Sequence, residues 1–271
     1  MESLIIIFSG LLGLGLSARW TWWKQKTAGL PVLVYHKIGH PPKNSKLKSL
    51  WVSPENFRKQ MTFLLRQGYQ TLVFSELLKA AKSESDLPSK SAIVTFDDGY
   101  QNNYEHAYKI LKDLNAKGNI FLAYNTIGKI NLWHNPETEP WINMLTWEQI
   151  FEMKESKFME FGSHTMNHPD LTRIPPEQVK WELIESKKQL EAKLGCEIAA
   201  FAYPYGAGAY TPLIRNMVFN AGYVFDFSFK QGKTPWPWKP EKRPIDRLFI
   251  RGDENNLDMH LHLTRGMSRL V

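Results

Sequence analysis

The chain has 271 residues, of which 43% are hydrophobic and 23% charged, and its formal net charge at neutral pH is +7. Its length suits one large domain or two small ones, and its composition is that of a globular protein. The single cysteine, Cys196, excludes an intramolecular disulfide, and the lack of a Lys/Arg block with interleaved aromatic residues argues against nucleic acid as a partner.

The first predicted element is an apolar segment at the N-terminus. Residues 4–18 are almost entirely apolar, and tryptophans and basic residues follow them up to Lys26. The apolar run is short for a membrane span, but extending it through Trp23 reaches spanning length and includes Arg19. We predict that residues 1–29 form an uncleaved membrane anchor with an interfacial Trp/Lys belt, with a cleaved signal peptide as the alternative. The basic residues after the run favour a cytoplasmic domain, which leaves the side of the membrane open.

Strand-like and helix-like segments alternate along the rest of the chain. Short apolar runs predict strands at 32–35, 71–73, 92–96, 120–123, 159–162, 199–203, 223–227 and 247–250. Amphipathic or capped segments predict helices from Ser53, over 75–82, over 103–115, from Thr146, and over 176–194 with Gly195 as the stop. The alternation predicts an α/β fold with a parallel sheet, open or closed into a barrel. Since residues 30–258 show no repeat or break in composition, we expect a single domain there and a C-terminal tail at 259–271.

Polar side chains that can do chemistry follow several of the predicted strands. They are His36 after the first strand, Asp97 and Asp98 after the third, His164 and His168 after the fifth, and Tyr205 after the sixth. The carboxyl ends of parallel strands meet at one mouth in barrel enzymes, where catalytic sites assemble. The pattern therefore favours a distorted (β/α) barrel of about seven to eight parallel strands.

Two segments carry the strongest chemical signal. Residues 95–99 read Thr-Phe-Asp-Asp-Gly, and residues 164–168 read His-Thr-Met-Asn-His. Together they offer one carboxylate and two imidazoles for a metal ion, with a second carboxylate left for proton transfer, as hydrolysis by a metal-activated water requires. Taken singly, each has a plainer interpretation: Asp-Asp-Gly as a turn, and the histidines as satisfied or surface residues.

These segments resemble the first two motifs of the polysaccharide deacetylases (NodB homology domain, carbohydrate esterase family 4). The Phe-Ala-Tyr-Pro-Tyr-Gly sequence at 201–206 resembles the third motif, and the likeness spans about residues 30–250. Residues 34–38, 53–61 and 144–147 also resemble the branch that acts on secreted poly-N-acetylglucosamine and related glycans.

The resemblance implies a role for each matching residue. Asp98, His164 and His168 would bind a divalent metal, most often Zn²⁺, Asp97 would be the general base, the backbone N–H of Tyr205 would stabilise the oxyanion, and His36 would be the general acid. The implied function is metal-dependent removal of N-acetyl groups from an N-acetylhexosamine polysaccharide of the cell envelope or biofilm matrix. The expected location is then membrane-anchored, on the periplasmic or extracellular face, with secretion as the alternative.

Two rival functions stay open at this point. One is deformylation or deacetylation of a lipid-linked amino sugar, which a membrane anchor would suit. The other is a catalytically inactive homologue that only binds glycan. The feature favouring the second is Ala202, which stands where the family's third motif commonly carries an arginine that orients the catalytic aspartate. Arg247 or Arg251, at the end of the last predicted strand, could substitute.

Several other histidines and tryptophans lie outside the predicted site. His260 and His262 superficially match the family's C-terminal Leu-x-His motif, but we expect a surface helix there. His106 and His134 are expected to be non-catalytic. Aromatic residues that could stack on sugar rings, or simply hold loops in place, are Trp133, Trp141, Trp147, Trp236 and Trp238.

Overall fold

The computed structural model describes Ser17 and residues 19–270. Apart from Ser17, the predicted apolar segment 4–18 lies outside this part of the chain. Within it, every helix is too short or too polar to cross a lipid bilayer.

Parallel strands close into a barrel, as the sequence predicts. The strands within the described residues are β1 (Val32–Tyr35), β2 (Lys37–Ile38), β3 (Trp51–Val52), β4 (Gln70–Leu72), β5 (Ser91–Phe96), β6 (Gly118–Leu122), β7 (Met159–Ser163), β8 (Ala200–Ala202), β9 (Phe225–Gln231) and β10 (Ile245–Phe249). Seven of them run in the order β1-β10-β9-β8-β7-β6-β5, and pairing of β1 with β5 closes the ring. The (β/α) barrel is therefore confirmed, with β2 and β3 forming a separate two-stranded sheet.

Helices cover the outside of the barrel. Those with defined bounds are α1 (Pro54–Arg66), α2 (Phe74–Lys82), α3 (Lys109–Asp113), α4 (Trp147–Glu155), α5 (Pro176–Leu194), α6 (Pro212–Asn220) and α7 (Asn256–Arg265). The predicted start of α1 is confirmed, because the Ser53 side chain accepts a hydrogen bond from the Asn56 N–H. Gly195 ends α5 in the left-handed conformation at φ 64°. The helix predicted over 103–115 differs, since its first part, Asn103–Tyr108, is π-helical.

The barrel is distorted where β4 joins it. β4 pairs with the N-terminal half of β5, whereas β6 pairs with the C-terminal end of β5. The buried Asn119 of β6 bridges this opening: its side-chain amide donates to the carbonyls of Leu72 and Val94 and accepts from the Phe74 N–H. Backbone groups that strand pairing leaves unsatisfied are thus satisfied by one side chain.

The barrel interior is a packed core and not a pore. Phe121 of β6 and Phe227 of β9 lie 5.3 Å apart between ring centroids, and Phe74 packs 5.1 Å from Phe121. Above this apolar plug lies Arg247 of β10, whose guanidinium is 5.6 Å from the Phe121 ring. The polar residues of the mouth therefore rest on a rigid apolar floor.

The C-terminal segment is part of the folded body. The predicted boundary between domain and tail, after residue 258, falls inside α7, which packs on α1. The expectation of a surface helix is wrong for His262, which is buried. Its two ring nitrogens are hydrogen-bonded to Gln231 and Glu254, each at 3.0 Å, so this histidine has a structural role.

Candidate active site

Three side chains from two strand ends meet in the barrel mouth. Asp98 follows β5, whereas His164 and His168 follow β7, and all three are buried. The Nε2 atoms of His164 and His168 lie 3.3 and 3.0 Å from Asp98 Oδ1, and the three candidate ligand atoms lie within 4.8 Å of one another. A carboxylate and two imidazoles are a ligand set that suits Zn²⁺ and leaves a coordination position open.

The hydrogen bonds and the burial of these groups suit a cation between them. His164 Nδ1 lies 2.7 Å from the Ala202 carbonyl, so Nδ1 donates to that oxygen and Nε2 is the nitrogen that faces the Asp98 carboxylate. A metal ion between Nε2 and the carboxylate would accept a lone pair from each. Burial lowers the pKa of His168 although Asp98 opposes this. Burial alone would raise the pKa of Asp98, but His168 and His164 hold that pKa well below its usual range. The residues present therefore fit a divalent metal.

The backbone around the site is strained. Asp98, Thr165, His168 and Tyr205 all have positive φ, between 58° and 76°. This conformation is uncommon for residues other than glycine and costs of order 1–3 kcal/mol each. Such strain persists only where the surrounding structure enforces it, and its concentration in three loops at one mouth marks a functional site.

A buried carboxylate holds the histidine loop in this conformation. Glu182 of α5 accepts hydrogen bonds from the backbone N–H groups of Met166 and Asn167, at 2.8 and 3.0 Å, and from the Asn167 side chain at 2.8 Å. The loop between His164 and His168 is therefore fixed by a residue that the motif itself does not include.

Asp97 is paired with Arg247. The two guanidinium Nη atoms donate to the two carboxylate oxygens of Asp97 at 2.6 and 2.7 Å, and both side chains are buried. Burial alone would raise the pKa of Asp97, but Arg247 and His164 lower it below its usual value. Arg247 and Arg251 are the two predicted substitutes for the arginine missing at position 202. Arg247 is the one that pairs with Asp97, whereas the half-exposed Arg251 pairs with Asp253.

Removing this partner should destabilise the chain. Arg247→Met should lower the free energy of unfolding by about 3–5 kcal/mol at pH 7, because an ionised Asp97 would remain buried without its partner. The lowered pKa keeps Asp97 ionised in the wild type until the pH falls below the usual carboxyl range. Without Arg247, burial raises the pKa of Asp97, so Asp97 of the variant becomes protonated in mild acid and the cost of its buried charge disappears. Urea unfolding of chelator-treated protein should show that the difference in the free energy of unfolding between wild type and Arg247→Met is smaller at pH 4 than at pH 7. Arg251→Met is the matched control, and equal losses for both variants would contradict this account.

The two remaining predicted residues also border the mouth. His36 follows β1, and its ring packs edge-on against Phe229 and Phe249, at 5.6 and 6.0 Å. Burial lowers the pKa of His36, although the carboxylates of Asp98 and Asp97 act in the opposite sense. Tyr205 lies after β8 with its ring 4.7 Å from that of His168. The structure thus brings all six predicted residues to one mouth.

Sequence reasoning missed one neighbour of the site. Trp133, in the loop between β6 and α4, stacks on the His168 ring at 4.3 Å with an interplanar angle of 21°. The residue stood out in the sequence only as one of several loop tryptophans, and no periodicity or spacing separates it from Trp141 or Trp147. Its contact is visible only in three dimensions.

Comparisons with known proteins agree with this geometry. The sequence profile described as polysaccharide deacetylase matches residues 84–225. The YxkH protein of Bacillus subtilis is 33% identical over 182 residues, covering 67% of this chain and 58% of that protein. The poly-beta-1,6-N-acetyl-D-glucosamine N-deacetylase of Staphylococcus epidermidis is 27% identical over 171 residues, 60% of this chain and 56% of the relative. The match thus spans little more than half the length of these curated relatives.

Among solved structures, the deacetylase PplD of Streptococcus pyogenes, in complex with acetate, superposes with a TM-score of 0.71 at 26% identity. The superposition covers 84% of this chain and 95% of that one. IcaB from Ammonifex degensii gives a TM-score of 0.69 at 24% identity, covering 84% and 94%, a likeness that concerns the fold alone.

Proposed function

The chain belongs to the polysaccharide deacetylase family, and we propose that it is a metal-dependent hydrolase that removes N-acetyl groups from an N-acetylhexosamine polymer. The observation that carries this proposal is the meeting of Asp98, His164 and His168 beside the Asp97–Arg247 pair. A buried ligand triad and a separate, oriented carboxylate together supply the two requirements of amide hydrolysis, an activated water and a base.

We assign the metal to Asp98, His164 and His168. A divalent ion held there, with zinc as the proposed metal, would polarise the amide carbonyl and make water a better nucleophile. Asp97 accepts the proton of the attacking water, and its lowered pKa keeps it ionised for this task at neutral pH. Arg247 fixes both oxygens of Asp97, so the base has one orientation.

The later steps use the other two residues. Water adds to the carbonyl carbon, and the backbone N–H of Tyr205 donates to the oxygen that becomes negative. The C–N bond then breaks, and His36 protonates the leaving nitrogen, giving acetate and a free amine. Burial lowers the pKa of His36 and favours the neutral ring at rest, so His36 takes up a proton during the reaction before it donates one to the amine.

We propose poly-N-acetylglucosamine or a related glycan as the substrate. The support is the name shared by relatives from Staphylococcus epidermidis, Staphylococcus aureus and Escherichia coli, which are poly-beta-1,6-N-acetyl-D-glucosamine N-deacetylases. The Arg247–Asp97 pair weighs against an inactive glycan binder, because it supplies the orienting arginine whose place Ala202 leaves empty. Acetate release from N-acetylglucosamine oligomers tests the proposal, and formate release from N-formyl amino sugars tests the lipid-linked alternative.

Membrane attachment is a further part of the proposal. Residues 19–27 run along α7 and the C-terminus, with backbone hydrogen bonds from Thr21 to Ser268 and from Leu270 to Arg19. Trp22 and Trp23 are about half exposed, as an interfacial aromatic belt would require. We propose an envelope protein with its domain on the periplasmic or extracellular face, which fractionation of the full-length chain with protease protection tests.

A further inference from the structure

The two candidate histidine ligands are held in place by different means. Histidines that bind metals usually donate their second ring nitrogen to a carboxylate, carbonyl or water, which fixes the ring. His164 has this partner in the Ala202 carbonyl. His168 does not: its Nδ1 is buried and makes no hydrogen bond to any of the described residues.

Two aromatic rings contact His168 instead. The indole of Trp133 lies parallel to the imidazole at 4.3 Å, and the Tyr205 ring meets it edge-on at 4.7 Å. A flat ring stacked on one side and met edge-on by a second can neither flip nor tilt without losing van der Waals contact. The remaining freedom of His168 is small, and its Nε2 stays directed at Asp98 Oδ1, 3.0 Å away.

Trp133 can act in this way only if its own loop is rigid, and a buried ion pair makes it so. Glu139, in the same loop, accepts hydrogen bonds from Lys37 Nζ at 2.5 Å, Ser45 Oγ at 2.5 Å and Trp51 Nε1 at 3.1 Å. Lys37 and Glu139 are both almost fully buried. Moving the loop away would leave a buried charge without its partner, which is strongly destabilising, so the loop is anchored to β2 and β3.

The rest of the loop is closed by its own contacts. The Asn131 side chain accepts from the Ile142 N–H at 2.6 Å, and the Trp141 indole donates to the His134 carbonyl at 2.8 Å. The Lys37 ammonium also lies 5.0 Å from the centre of the Tyr100 ring, which is buried two residues after Asp98. The anchor of the loop and the metal-binding loop after β5 are therefore in contact.

We propose that Trp133 is a positioning residue for His168, taking the part that a hydrogen bond to a carbonyl plays for His164. The inference rests on the proposed metal site and deepens it. It means that metal affinity depends on a loop tryptophan outside the three motif segments at 95–99, 164–168 and 201–206.

The test is the zinc affinity of the full-length chain, measured by competition with a chromophoric chelator. Trp133→Ala should bind zinc about 10–100-fold more weakly, the loss typical of removing a group that orients a ligand. Trp133→Phe, which keeps an aromatic face, should stay close to wild type. Trp133→Leu keeps bulk without such a face and should behave like the alanine variant. Trp181→Ala, on the exposed face of α5, is the control for loss of a tryptophan elsewhere.

A spectroscopic readout separates positioning from a general loss of structure. Visible absorption of the Co²⁺-loaded protein reports ligand geometry, and it should change in Trp133→Ala and return to the wild-type spectrum in Trp133→Phe. Equal zinc affinities and Co²⁺ spectra for wild type and both the alanine and leucine variants would overturn the inference while leaving the metal site intact. A wild-type chain that binds neither metal would overturn the proposed function itself, and this inference with it.

Discussion

Asp98→Ala should lose both bound metal and acetate release. Asp98 is the only carboxylate of the candidate ligand triad, and its Oδ1 is the atom that both histidine Nε2 atoms face, at 3.3 and 3.0 Å. Without it, two imidazoles remain, and a zinc ion would lose a third of its protein ligands together with the only carboxylate among them. Elemental analysis of the purified variant measures the metal, and the acetate assay measures the turnover.

Asp170→Asn is the matched control for this variant. Asp170 lies two residues after His168, at the edge of the same loop, and its carboxylate accepts from the Thr172 side chain and backbone. It is not part of the ligand triad, so its variant should retain metal and turnover. Stoichiometric metal in purified Asp98→Ala would show that the ion is held elsewhere.

Asp97→Asn should keep its metal and lose most of its turnover. The amide has the shape of the carboxylate and leaves the three ligands in place, but it cannot accept a proton from water. General-base catalysis contributes about 10²–10⁴-fold to a rate, so we expect a loss of that size. Acetate release measures it, with metal content determined on the same preparation.

The contrast between these two variants separates binding from catalysis. Circular dichroism should establish that Asp97→Asn is folded, because Arg247 then lies buried beside a neutral partner. Near-normal rates in this variant would remove Asp97 as the base. A loss of metal together with the rate would instead assign Asp97 to the ligand set.

The sequence predicts the motif residues well because parallel barrels place strand ends together. His36, Asp97, Asp98, His164, His168 and Tyr205 each follow a strand that is read from a short apolar run, and each is found at the mouth. The alternation alone leaves the parallel sheet open or closed, and the position of these residues at strand ends favours the barrel, which the structure has as a ring of seven strands. The apolar runs do not predict that β4 and β6 pair with different parts of β5. The side-chain amide of the buried Asn119 bridges the opening between them.

Contacts across long sequence distances are harder to predict. Arg247 lies 150 positions from Asp97, and position at a strand end left two arginines as candidates until the geometry singled out one. The sequence does not distinguish Trp133 from the other loop tryptophans, because the stacking of an aromatic ring on a distant side chain leaves no periodic pattern in the sequence. His262 was misjudged because helix periodicity does not say which face of a terminal helix meets the body, and here α7 packs on α1.

The central claim is that a metal ion held by Asp98, His164 and His168 supports amide hydrolysis, and one measurement tests it most directly. The full-length chain, kept in mild detergent, is incubated with N-acetylglucosamine oligomers, and acetate is measured with added zinc, after chelation, and after zinc is restored. We predict release that the chelator abolishes and zinc recovers. Acetate release that persists unchanged in the chelated, metal-free protein would contradict the account.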